Sequence, residues 1–74
     1  MNSQKQVAST EYAVEVNNDK GFVRQIDVFK SYDKAEEFIK KNKNKIQLAD
    51  GEYFNIIFID YDKNGNEINF GTVC

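Results

Sequence analysis

The residues best suited to chemistry in this chain form the oxygen-rich run Asp60-Tyr61-Asp62-Lys63-Asn64-Gly65-Asn66. Its D-x-D-x-N-G spacing matches the first half of an EF-hand calcium loop, where oxygens at alternate positions converge on the ion and glycine makes the sharp turn. The second half departs from that pattern. Glu67 stands where an apolar residue belongs, and Gly71 where a bidentate glutamate closes the site. Calcium takes about 6–8 oxygen ligands, more than this run supplies. The same letters suit a strand entering an Asn-Gly hairpin. A weak calcium-binding hairpin at Asp60, Asp62 and Asn64 is therefore an alternative reading, and no cofactor or dedicated metal is expected.

Other catalytic equipment is sparse. The chain has no histidine, hence neither the commonest general acid/base nor the commonest metal ligand. Cys74 is the one cysteine and the last residue, which excludes an internal disulfide and reads as an incidental thiol, with a disulfide-linked dimer under oxidation as the alternative. Ser3 and Ser9 fall in a polar N-terminal stretch, and Ser31 serves as a helix cap. Asp60 and Asp62 lie at a hairpin tip with nothing to desolvate them. These features predict a protein that is not an enzyme.

Charge narrows the partner classes. The net charge is −2 with a pI near 5.0, which argues against a protein whose main task is holding nucleic acid. Lys40, Lys41, Lys43 and Lys45 crowd one segment and suit a helix C-terminus, where the macrodipole favours cations. Asp50, Glu52, Asp60, Asp62 and Glu67 form an opposite, acidic pole. The longest apolar run, Ile56-Ile57-Phe58-Ile59, is too short to span a bilayer, and Met1–Gln6 leads into no apolar segment of the kind a signal peptide needs. Cytoplasmic residence is the expectation. Abundant Asn, Lys and Ile match AT-rich coding, as in a low-GC bacterium, its phages or its mobile elements.

These residues are positioned by five elements. Residues 1–9 read as a flexible N-terminal tail and residues 10–74 as a single α+β domain. Tyr12, Val14 and Val16 alternate with Glu11, Ala13 and Glu15, the pattern of a half-buried strand. Asn17-Asn18-Asp19-Lys20-Gly21 closes a hairpin onto a strand from Phe22 to Phe29. Pairing Val16 with Phe22 sets Val14 against Arg24 and Tyr12 against Ile26. Ser31 is a helix N-cap, with Asp33 as a rival because Glu36 follows it by three. Tyr32, Ala35, Phe38, Ile39 and Ile46 form the apolar stripe, and the helix is expected to stop between residues 42 and 45. Glu52 to Tyr61 is the strongest strand, and Glu67 to Val73 the last. A two-residue type I′ Asn64-Gly65 loop pairs Lys63 with Asn66, Tyr61 with Ile68, Ile59 with Phe70 and Ile57 with Thr72. The predicted fold is α+β, a single β-β-α-β-β domain: a four-stranded, mainly antiparallel sheet with one helix on one face, in the order 2-1-3-4 if the first and third strands sit together.

The third strand is apolar on both parities, and one helix covers only one face. With Ile57, Ile59 and Tyr61 assigned inward, Phe29, Phe54, Ile56, Phe58 and Val73 are left on the outer face. That face is either shielded by the N-terminal tail or Leu48, or it binds another protein or another copy. The function expected is a small non-enzymatic protein-interaction module, such as an accessory or inhibitor protein of a phage or mobile element. It would work through Phe29, Phe54, Ile56, Phe58 and Val73, with a homodimer as the simplest assembly. A single-stranded nucleic-acid binder stacking bases on Phe29, Tyr53 and Phe58 is a further alternative.

Overall fold

The computed structural model describes residues 6–73. The elements run β1 (Ser9–Asn18), β2 (Gly21–Phe29), α1 (Tyr32–Asn42), β3 (Tyr53–Tyr61) and β4 (Glu67–Thr72). The strands form one sheet in the order β2-β1-β3-β4, every neighbouring pair antiparallel. This is the small α+β domain that the sequence predicts, with the first and third strands side by side. Readings of residues 1–5 and of Cys74 concern positions outside those described. The N–H of Ala8 donates to Tyr61 O at 2.8 Å, so pairing reaches into the stretch read as a tail. Among the described residues no helix is long and apolar enough to cross a membrane.

Ser31 caps the helix. Its backbone is extended, and its Oγ accepts the N–H of Lys34 at 3.2 Å, satisfying one of the orphan donors of the first turn. Asp33 lies inside the first turn, and Lys40 and Lys41 lie in the last, each where the macrodipole favours its sign. At the other end Asn42 Nδ2 donates to Phe38 O at 2.9 Å.

The core is thin. Val14, Ala35 and Ile56 are buried together, with Tyr12, Ile26, Phe29, Phe38 and Phe54 packed around them. The small side chain of Ala35 lets the helix approach the sheet closely. Edge-on contact of Tyr12 with Tyr32, at 6.2 Å between ring centres, and tilted contact of Phe29 with Phe38, at 5.2 Å, tie the helix to β1 and β2. An 11-residue helix is about 16 Å long, half the roughly 33 Å of a ten-residue strand. It therefore leaves the sheet ends to other cover. At one end Arg24 reaches over to the α1–β3 connection, donating to Gln47 O at 3.1 Å and to Glu52 Oε1 at 3.5 Å.

Two registers differ from the expected ones. In the first hairpin Val16 faces Arg24, Val14 faces Asp27 and Tyr12 faces Phe29, with irregularities on either side of Glu15 and Val16. Ile26 is the extra residue on β2 at the first irregularity and Val23 at the second. The bulge at Ile26 lets Ile26 and Phe29, three apart, both pack against the helix-side core, which a regular period of two forbids. In the second hairpin φ is positive at Gly65 (83°) and not at Asn64, so the turn is not type I′. Gly65 N–H donates to Asp62 O at 3.0 Å and Asp62 N–H to Asn66 O at 2.9 Å. This is a three-residue loop, a type I turn completed by a left-handed glycine. Alone it would shift the ladder by one residue. A bulge at Ile68, between the Asp60 and Tyr61 pairs, takes up that residue. Tyr61 faces Glu67 instead of Ile68, while Asp60–Asn69, Ile59–Phe70 and Ile57–Thr72 pair as predicted.

Candidate functional site: the open sheet face

The face assignment follows from β1. Directly opposed residues share a face, and β1 pairs Val16 with Phe54, Val14 with Ile56 and Tyr12 with Phe58. The apolar side of β1 lies under the helix, so the even-numbered set of β3 lies there too. The outward assignment of Phe29, Phe54, Ile56, Phe58 and Val73 is corrected accordingly. Ile56 is 8% exposed, and Phe29, Phe54 and Val73 pack against its cluster. Phe58 is half-buried on the same face, its ring over Gly71: a Cβ there would lie 3.1 Å from Phe58 Cε1. The structure thus brings the five residues together, but on the helix side.

The open face carries the other set. Ala13 pairs with Ile57, Glu11 with Ile59, Ser9 with Tyr61 and Asn17 with Tyr53. Val28 flanks Ala13 from β2, and Phe70 flanks Ile59 from β4. The result is an apolar strip across the sheet: Val28 and Ile57 in one row, with Ala13 fully buried between them, and Ile59 and Phe70 in the next. Phe70 is 65% exposed and Tyr53 52%. Glu11 and Glu15 border the strip on β1. Tyr61 is hydrogen-bonded to Glu11, and partial burial, then the negative charges of Glu11 and Glu67, raise its hydroxyl above the ordinary 10.0. Asn17 Oδ1, between Phe22 and Tyr53, is buried without a hydrogen-bond partner.

The face was legible in part. Glu11 and Glu15 mark the side of β1 that stays near solvent, and the β1–β3 register carries that mark to Ile57 and Ile59. The sequence reading paired β3 with β4 alone, where both parities are equally apolar.

The other candidate constellations are not assembled as ligand sites. Asp60 Oδ1 accepts the hydroxyl of Thr10 at 2.7 Å. Asp62 Oδ1 accepts the N–H groups of Asn64 and Asn66, each at 2.9 Å, so the half-motif spends its carboxylate on shaping the turn. Among the described residues no group of three or more His, Cys, Asp or Glu is placed to hold a metal ion. Phe29 and Phe58 face the helix while Tyr53 faces away, so those three rings form no common stacking platform. No family model matches the chain, and no curated protein or solved structure matches it either.

Proposed function

We propose that the domain is a non-enzymatic protein-interaction module that docks another protein on its open sheet face. The observation that supports this is the apolar strip formed by Val28, Ile57, Ile59 and Phe70, on a sheet whose single helix covers the opposite side. Contiguous apolar surface of this kind marks interaction sites on soluble domains. A sheet face is rigid, so little conformational entropy is lost on docking. The non-enzymatic part of the reading rests on a chain without histidine and on carboxylates engaged in turns and cross-strand bonds.

The test compares wild type with Phe70→Asp and Tyr53→Asp, chosen because both side chains are more than half exposed and their loss spares the core. A protein retained from host lysate by wild type is purified, and its affinity is measured calorimetrically against each variant. The expected result is a loss of at least tenfold, about 1.4 kcal/mol, with unchanged circular dichroism. Equal affinity for all three proteins refutes docking on this face.

A further inference from the structure

The open face is apolar, but its charges are of one sign. Glu11 and Glu15 rise from central strand β1, and Glu67 stands opposite Tyr61 on β4. Lys30 stands at its border, 84% exposed and 3.9 Å from Glu11, too loose a pair to neutralise the face. Lys34, Lys40, Lys41, Lys43 and Lys45 belong to the helix and the connection after it, on the other side of the sheet.

Geometry sets a spacing. Glu11 and Glu15 are four residues apart on one strand face, about 13 Å. The Ala13–Ile57 row lies between them. An occupant that satisfies all three features places an apolar side chain over Ile57, beside the buried Ala13, and a cation at each flank. Resting on the docking reading above, we infer that the face receives a cationic amphipathic segment of its partner. Its Lys or Arg side chains, about 13 Å apart, reach Glu11 and Glu15, and its apolar side chains seat on Ile57 and Ile59. In an extended segment that spacing is i and i+4. Arg fits better than Lys, because its planar fork binds a carboxylate through two parallel hydrogen bonds. A second copy of the chain is the poorer occupant. Two-fold pairing through this face sets the same carboxylates against one another, and like-charge juxtaposition suppresses association.

The experiment titrates the isotope-labelled full chain with two synthetic peptides of equal length, one repeating Lys-Thr-Leu-Thr, which sets Lys at i and i+4 and Leu at i+2 on one face of an extended strand, and one with Glu in place of each Lys, followed by amide shifts at physiological salt. The Leu/Lys peptide is expected to move Ala13, Glu15, Ile57 and Ile59. Glu11→Gln with Glu15→Gln weakens it roughly fivefold to tenfold, the scale of two partly screened ion pairs, whereas Glu36→Gln with Glu37→Gln on the helix leaves it unchanged. Equal binding of the Leu/Glu peptide at this face, or an equal loss from the helix variants, overturns the cationic inference and leaves apolar docking standing. So does a dimer in sedimentation that Phe70→Asp disperses, since the second copy then fills the face. If neither peptide touches the face and the domain sediments as a monomer, the cationic inference falls together with the docking reading.

Discussion

Ile56 and Ile57 are adjacent in β3 and point to opposite faces, so the same small truncation at each position reads out which face is core. Ile56 is 8% exposed and packs with Val14 and Ala35. Ile56→Val removes one buried methylene, worth about 0.8 kcal/mol in transfer, and leaves a small void under the helix. The two effects together cost about 0.5–1.5 kcal/mol. In a domain of this length, that corresponds to a fall in melting temperature of roughly 4–8 °C per kcal/mol. Ile57 is only half-buried, with no helix over it. Ile57→Val loses part of the transfer term and none of the cavity term, and is expected to cost less than about 0.5 kcal/mol. The larger truncation sharpens the contrast. Ile56→Ala costs about 2–5 kcal/mol, against a total stability on the order of 3–5 kcal/mol for so small a core, so Ile56→Ala is largely unfolded at room temperature while Ile57→Ala remains folded. Thermal melts by circular dichroism decide the matter. An Ile57→Val penalty equal to or larger than that of Ile56→Val would refute the face assignment and the docking surface built on it.

Three further outcomes follow from single features. Gly65 sits at φ 83°, so Gly65→Val costs at least about 1–2 kcal/mol, and an unchanged melting temperature would contradict the turn geometry. Gly71→Ala presses a Cβ to 3.1 Å from Phe58; its cost, about 1 kcal/mol, is expected to vanish in a Phe58→Ala background, as a double-mutant cycle of denaturation midpoints shows. The Tyr61 hydroxyl is raised by partial burial and then by Glu11 and Glu67, so the native state favours its protonated form. That contribution to stability is present below pH 10 and lost as pH rises through the folded-state value; ring-carbon NMR titration is expected to show Tyr61 ionising above 10, and Glu11→Gln to lower its midpoint.

The elements were legible because local signals agreed with tertiary packing. The Ser31 cap, the Tyr32-Ala35-Phe38-Ile39 stripe and the alternation of β1 each placed an element, whereas the strand order depends on β1 lying beside β3. The face of β3 was not legible from β3 itself. Both of its parities are apolar, so period-two patterning carries no direction there. The direction came from a long-range pairing, Val14 with Ile56, across more than forty residues of chain. The bulge at Ile26 hid a second clue. Phe29 reads as out of phase with Ile26 in a regular strand, yet the extra residue puts both on the helix side.

The bulge at Ile68 also bears on how freely this domain can change length. The tip at residues 63–65 and the paired rows below it are mechanically separate, because the odd residue of the turn is absorbed before the ladder reaches Asp60–Asn69. Removing one residue from the tip, to leave a two-residue turn above the retained bulge, does not move Phe70 relative to Ile59. Lengthening the tip adds solvent-exposed chain at a modest entropic cost, roughly 0.6 kcal/mol per doubling. Insertions and deletions at the tip therefore leave the open face intact, and the same tip is the natural place to graft a tag or a second recognition sequence onto this scaffold.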